Sequence, residues 1–302
     1  MHLLNNDINL YRPEKKYYLE SLKYAKNFEN NNNNKLVFHC FWRVPREFGR
    51  KQVAVIMSIL ANHINKLDNL EINLWSNIDL SNNILLQNIK KYLNFKRWDL
   101  DIERKDSILE NCYYITKESI SDNMCYLEGD LFRLLVLNKY GGFYIDMDVL
   151  ILRDMTPLNN LEFLYQWGTS GCNDNELVMT MNGAVMRFNK SSAILEEYLE
   201  ILSEDIPYKD STSWGNKLYS KLINNSILVL PCIWFNSEWG HEDTINDPFG
   251  NKNKIELFDG AFTWHWHNRW DDEIKDGSKF QILEEKHIDI LNKNLLLNLS
   301  TC

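Results

Sequence analysis

The sequence predicts an α/β protein built on a Rossmann-like, mainly parallel sheet with an irregular second half, and three patterns carry that prediction. Strand-like and helix-like segments alternate from Leu36 onward, a helix runs through a Gly-Gly pair into an acidic strand end, and regular periodicity fades beyond Arg153. The chain has 302 residues, 44% of them hydrophobic, which suffices for one large domain or two halves sharing a core.

Each element follows from its residues. Glu14 to Phe28 reads as a short helical segment, and the consecutive Asn30 to Asn34 as a polar spacer with no means of forming a core. We therefore expect an N-terminal extension over 1–34 and a single body over 35–302, divided near residue 152. Leu36 to Trp42 reads as the first strand. Lys51 to Ile64 reads as a helix with Val53, Ile56, Met57 and Leu60 on one face, and Leu70 to Trp75 alternates as a second strand. Ile84 to Leu93 reads as helical. Trp98 to Glu103 alternates with Leu100 and Ile102 inward, as a half-exposed edge strand, so the Asp99-x-Asp101 pair within it is read as solvated. Leu127, Leu131, Leu134 and Leu135 make Tyr126 to Tyr140 a helix, which Gly141 and Gly142 end. The irregular second half holds Trp167, Trp214, Trp234, Trp239, Trp264, Trp266 and Trp270. Most of these are expected in the core, although aromatics in clefts also stack on sugars and bases.

The chemistry concentrates at Tyr144-Ile145-Asp146-Met147-Asp148. The segment reads as the end of an apolar strand, where alternation puts Tyr144, Asp146 and Asp148 on one face. Two carboxylates there repel each other unless a cation lies between them, and Mn²⁺ or Mg²⁺ would accept their oxygens while keeping positions open for phosphate. On the preceding helix Asp130 and Arg133 lie three apart and share a face, where they read either as holders of sugar hydroxyls or as a structural ion pair.

Composition narrows the partners. A net charge of −9 argues against a nucleic-acid surface and against a polybasic membrane patch. Cys40, Cys112, Cys125, Cys172, Cys232 and Cys302 form no C-x-x-C pair, which favours reduced thiols over a disulfide or zinc framework. The first residues carry no signal-peptide pattern, and no run approaches the roughly twenty apolar residues of a membrane span. These features predict a soluble cytoplasmic protein without a transmembrane anchor, of bacterial or viral type. Ser-His-Asp, Cys-His, P-loop and G-x-G-x-x-G arrangements are absent.

Gly129-Asp130-Leu131-Phe132-Arg133 followed by Lys139-Tyr140-Gly141-Gly142-Phe143-Tyr144-Ile145-Asp146-Met147-Asp148 resembles the DXD region of retaining glycosyltransferases. The nearest groups are the Och1-type mannosyltransferases, the α-1,4-galactosyltransferases and, more distantly, the clostridial glucosylating toxins. Leu36-Val37-Phe38-His39-Cys40-Phe41-Trp42 resembles the family's first strand, and His265-Trp266-His267-Asn268 its H-x-W-N element with His267 where Trp is usual. Asn182-Gly183-Ala184 stands where relatives carry an Asn-Ala pair. Trp214-Gly215-Asn216 departs from the usual Thr-Gly-Pro.

The resemblance implies a GT-A fold, with a nucleotide-sugar half over 35–152 and an acceptor half with a C-terminal closing segment over 153–302. It implies a nucleotide-sugar donor, UDP-linked in the favoured reading, and a glycan or other hydroxyl acceptor. Asp148 is the expected direct metal ligand, and Asp146 is expected on the ribose or on the metal through water. Asp130 and Arg133 belong on the donor sugar and Tyr144 near the ribose. His39, Trp42 and Asn182 join the nucleotide-sugar site, and His265 is a late metal ligand after closure. Trp42 also reads as core, and His265 and His267 as buried structural histidines. Glu238 to Asp243 reads as an acceptor-side loop, with Phe249-Gly250-Asn251 as a pliable stretch before the closing segment. A GDP-mannose-dependent mannosyltransferase, a non-catalytic nucleotide-sugar-binding module and a nucleotide-sugar hydrolase remain the alternatives.

Overall fold

The computed structural model describes residues 15–29, 34–43, 46–121, 126–170, 178–204, 218–219, 227–236, 259–297 and 299–300. Asn30 to Asn33, Cys125, Cys172, Trp214-Gly215-Asn216, Glu238 to Asp243, Phe249-Gly250-Asn251 and Cys302 lie outside them, so the expectations for those segments find no structural counterpart here.

The central sheet has seven strands: β1 (Leu36–Trp42), β2 (Leu70–Ser76), β3 (Asn94–Arg97), β4 (Gly142–Ile145), β6 (Phe163–Ser170), β7 (Val178–Phe188) and β8 (Leu228–Leu230). Their order is β3-β2-β1-β4-β7-β6-β8. The block from β3 to β4 is parallel, β7 runs antiparallel to both β4 and β6, and β8 returns parallel to β6. A second, two-stranded sheet joins β5 (Val149–Ile151) to β9 (Thr263–His265). This is the mixed, mostly parallel architecture that the βαβ rhythm predicts.

Residues on β1 and β4 alternate between two cores. Phe38, Cys40, Trp42, Phe143 and Ile145 face one cluster together with α2 (Arg50–Asn62), the short α6 (Cys232–Phe235) and α7 (Lys279–Leu295). Phe41 and Tyr144 face the other, under α4 (Tyr126–Tyr140) and α5 (Ala193–Glu204). On that side Phe132 of α4 stacks on Phe41 at 4.5 Å and 14° and meets Trp75, Trp98 and Tyr144 edge-on or tilted. The helix that supplies the polar cluster is thereby locked to the sheet through one aromatic side chain. The N-terminal helix α1 (Lys15–Lys26) docks into the first core through Leu22 and Ala25, and Ser21 accepts a hydrogen bond from Trp234 Nε1.

Two expectations are corrected. Ile84 to Leu93 is not one helix but two single 3₁₀ turns, Ile84–Leu86 and Lys90–Tyr92, and Ile84 is exposed. Asn83 caps the first turn by accepting from Leu85 N, and a cap this early competes with a continuous helix. Trp98 to Glu103 is not a strand. The strand ends at Arg97, and Asp99 caps the short helix α3 (Leu100–Glu103) by accepting from Asp101 N. Leu100 is buried but Ile102 is exposed, and Lys117 pairs with both Asp99 and Asp101, so the second D-x-D is a capping and surface-charge device.

Among the described residues no helix is long and apolar enough to cross a membrane. At the Gly-Gly turn the backbone is left-handed, with φ of 69° at Gly141 and 106° at Gly142. Gly141 N caps α4 by donating to Leu137 O, while a Cβ on Gly142 would lie 2.6 Å from Val37 O. Gly142→Ala is therefore expected to cost about 2–4 kcal/mol, from strain plus a backbone clash. Urea unfolding checks this as a lower midpoint at unchanged m-value.

Candidate active site

The carboxyl ends of β1 and β4 lie side by side, with Phe38 opposite Phe143 and His39 opposite Tyr144. They open on a cleft of about 610 Å³ lined by Trp42, Arg43, Arg46, Tyr126, Arg133, Tyr144, Asp146, Asp148, Asn268 and Trp270 among others.

Arg133 lies at its floor. The guanidinium is 10% exposed, with Nη2 3.2 Å from Asp130 Oδ1 and 3.4 Å from Asp146 Oδ1, and Nε donates to Gly129 O. Its carbon stands 4.8 Å from the centroid of the Tyr144 ring. Burial acts against the charge, but the two carboxylates more than offset it and hold the guanidinium pKa well above its ordinary value. Tyr144 in turn donates to Asp146 Oδ1 at 2.5 Å. Gly183 on β7 has no side chain for a physical reason. A Cβ there would lie 2.6 Å from Arg133 Nη1 and 2.7 Å from Tyr219 Oη.

The two aspartates do not continue the strand, which corrects the expectation of a shared strand face. β4 ends at Ile145, Asp146 N donates to Ala184 O, and Met147-Asp148 form a turn closed by Val149 N to Asp146 O. The turn sends the chain from the central sheet into β5, which pairs Val149 with His265. Asp146 stays at the cleft surface, its side chain 25% exposed, whereas Asp148 is 3% exposed and turned toward β9. Asp148 Oδ2 accepts from His265 Nε2 at 3.0 Å and from Asn268 N at 2.8 Å.

Those surroundings separate the two acids. Burial raises the pKa of Asp146, opposed by Arg133 and reinforced by the neighbouring Asp148 charge. Burial would raise Asp148 too, but His265 and the Asn268 N–H bring it below the usual aspartate range. Asp148 is thus held in its ionised form more firmly than Asp146.

As a site for a divalent cation, the donor set fits in part. Among the described residues no three His, Cys, Asp or Glu side chains are gathered as a preformed metal cluster. Asp148 Oδ1, however, is buried without a hydrogen-bond partner, and the described contacts of Asp146 fall on its Oδ1 alone. Two free carboxylate oxygens suit a hard cation whose other positions are filled by ligand oxygens.

The other expected site residues divide. Trp42 lines the cleft, donates through Nε1 to Arg46 O and meets Trp270 edge-on at 5.0 Å. His39 does not reach the cleft. It is 1% exposed, its Nδ1 accepts from Trp75 Nε1 and its Nε2 donates to Gly141 O, so it braces the Gly-Gly turn, and burial lowers its pKa to about 4. Asn182 is half-buried and its Oδ1 accepts from Ala184 N, which shapes the β7 segment under Asp146. His265 uses Nε2 on Asp148, and its Nδ1 lies 3.3 Å from the Tyr165 hydroxyl. β9 ends at His265, and His267 and Asn268 both take left-handed backbone with φ of 57°. The His265 and His267 rings are still 4.1 Å apart, and His267 meets Asn236. Burial, and the His265 beside it, keep the His267 pKa well below the ordinary imidazole value.

Several contributors are invisible to motif reading. Trp270 has no spacing signal. Tyr165, Gly183, Asn236 and Tyr219 come from elements far along the chain. Lys51, at the start of α2, inserts its ammonium among three carbonyls of the loop behind Asn268, donating to Arg269 O, Trp270 O and Asp272 O at 2.7–2.8 Å. Three acceptors saturate the three N–H bonds of an ammonium.

Comparisons with known proteins bear on the region and the fold. Residues 23–165 match the family model described as glycosyltransferase sugar-binding region containing DXD motif. A stretch of 70 residues is 41% identical to an uncharacterized protein of Arabidopsis thaliana, covering 23% of this chain and 10% of that one. The apo-form glycosyltransferase GlyE of Streptococcus pneumoniae TIGR4 superposes with a TM-score of 0.52 at 13% identity, over 87% of this chain and 64% of GlyE. A second GlyE structure gives 0.50 at 11% identity, over 89% and 66%. The chain thus spans just under two thirds of GlyE and a tenth of the plant protein. Residues 23–165 are thus similar to a glycosyltransferase sugar-binding region containing a DXD motif, and the chain shares the GT-A fold.

Lys51→Met removes all three loop contacts and leaves three buried carbonyls short of a donor. We expect a loss of about 2–4 kcal/mol, together with faster tryptic cleavage after Arg269, followed by mass spectrometry of timed digests.

Proposed function

We propose that this protein is a metal-dependent, retaining glycosyltransferase that moves a hexose-type sugar from a nucleotide sugar, UDP-linked in the first instance, to a hydroxyl of a glycan or other acceptor. The observation that carries the reading is the meeting, in one cleft, of the Asp146-x-Asp148 turn with Arg133, whose guanidinium is paired by the enclosed Asp130.

Asp148 and Asp146 would hold Mn²⁺ or Mg²⁺, through the bare Oδ1 of the first and Oδ2 of the second. When bound, the cation neutralises charge that builds on the leaving diphosphate. The protein's own residues do the rest. Arg133 is fixed by its carboxylates and the Tyr144 ring, so it meets the donor without reorganising. Asp130 would accept from a hydroxyl of the transferring sugar. Trp42 and Trp270 present aromatic surface for the base and keep water from that side of the cleft. Among the described lining residues, the carboxylates of the cleft are those of the D-x-D turn. That supports same-face attack, in which the leaving phosphate oxygen takes the acceptor's proton, over a covalent intermediate.

A panel of UDP- and GDP-sugars with Mn²⁺, read by nucleotide release and thermal stabilisation, tests the reading. Release from a UDP-hexose that stops with excess EDTA is expected. Release from GDP-mannose alone would assign the mannosyltransferase alternative, and stabilisation without release would assign a binding module. Asp148→Ala should abolish release, at a cost in stability because it leaves His265 Nε2 and the Asn268 N–H without their acceptor. Circular dichroism checks the fold. Asp130→Asn should lower turnover by roughly tenfold or more while affinity for free nucleoside diphosphate is kept. Calorimetry separates the two effects, and a parallel loss of diphosphate affinity would move Asp130 out of the sugar pocket.

A further inference from the structure

Among the described residues Gly129 is the one glycine inside a helix, and neither backbone nor packing accounts for it. Glycine in a helix interior is destabilising relative to alanine. Elsewhere the causes are visible. Gly141, Gly142, Gly260 and Gly277 take left-handed backbone, Gly49 stands before α2 as its N-cap, and a Cβ at Gly183 would clash at 2.6 Å. Gly129 has helical backbone within α4, and a Cβ there would meet one described atom, Arg133 Nη2, in ordinary contact at 4.0 Å.

Gly129 also lines the cleft, although little of its own surface is exposed. The uncrowded space in its side-chain direction is therefore the cleft itself. Two attachments bracket the residue along α4. Arg43, which follows Trp42, pairs with Glu128, the residue before Gly129. Asp146 of the acidic turn pairs with Arg133, one helical turn beyond it. The aromatic wall of Trp42 and Trp270 lies toward the first attachment and the acidic turn toward the second.

Resting on the glycosyltransferase reading above, we propose that Gly129 is a specificity-determining residue for the donor: the ribose of the nucleoside diphosphate packs flush against the bare backbone of α4 at this position. In any nucleoside diphosphate the ribose joins the base to the phosphates. With the base on the aromatic wall and the diphosphate at the acidic turn, the ribose falls between the two attachments, over Gly129. A saturated ring gains dispersion contact only by close approach, and even a methyl group there would hold it off the helix. Helix stability is given up to keep that surface bare.

Gly129→Ala tests this, because stability and binding should move in opposite directions. The full chain with Mn²⁺ is titrated with UDP and with GDP by calorimetry, alongside a thermal melt and nucleotide release from the donor the parent uses. The expected result is a Tm higher by roughly 1–3 °C, with affinity for the parent's nucleoside diphosphate lower by about tenfold and kcat/KM reduced with it. Gly129→Met, an unbranched helix former of longer reach, should weaken binding further while the protein still melts cooperatively. Parent-like diphosphate affinity in Gly129→Ala overturns the proposal. So does a loss confined to the intact nucleotide sugar, which would put the transferring sugar over Gly129, and so does a lower Tm, which would make the glycine structural. A parent that binds neither UDP nor GDP overturns the nucleotide-sugar reading and this proposal with it, and that failure shows in the parent before any variant is compared.

Discussion

A guanidinium cannot shed its proton to escape burial, so placing that of Arg133 at the floor of the cleft obliges the fold to surround it with acceptors. Those acceptors come from two elements. Asp130 is supplied by the same helix three residues earlier, and Asp146 by the turn after β4. Tyr144 then lays its ring against the guanidinium and its hydroxyl on Asp146, and β7 yields room at Gly183. One buried charge thus ties the helix, the strand end and the neighbouring strand into a single rigid unit. The aromatic stack of Phe132 beneath it prevents the helix from sliding and spoiling those distances.

The second constraint is long-range. After the turn the chain leaves the main sheet and pairs with a strand more than a hundred residues later, which brings His265 and the Asn268 N–H, 120 residues away, onto one oxygen of Asp148. Lys51 holds the loop behind Asn268 by its carbonyls, and Arg50 beside it makes a two-pronged pair with the buried Glu284 of α7. The start of α2 is therefore the clasp of the C-terminal segment. Neighbouring carboxylates in different surroundings are shifted in opposite directions without any difference in residue type.

Local rules were sufficient wherever the causes are local. The bounds of α4, the Gly-Gly turn and the first two strands follow from spacing and backbone freedom, and the D-x-D with Asp130 and Arg133 follows from the same short stretch. Failures arose where a cap beats a weak period, as at Asp99, or where a partner is remote. No period in the sequence tells that His39 points its ring at Gly141 and Trp75 rather than at a ligand. Lys51, Tyr165 and Tyr219 carry no signal either, because each acts through an atom placed by tertiary packing. Gly183 was in view only as part of Asn182-Gly183-Ala184. Its reason for being glycine is an arginine fifty residues earlier and a tyrosine thirty-six later, visible only in space.

The asymmetry of Asp148 links these constraints. Oδ2 is saturated by His265 and Asn268, and Oδ1 is buried and bare. An aspartate with one oxygen fixed has lost most of its rotational freedom, so the direction of the other is set before any ligand arrives. The groups that set it belong to the C-terminal segment and not to the D-x-D turn itself. Displacing that segment would free Oδ2, let the carboxylate rotate and raise its proton affinity as its donors leave. The geometry of the acidic turn therefore depends on the C-terminal segment packed against it, and the histidine element contributes to the site first by orienting Asp148.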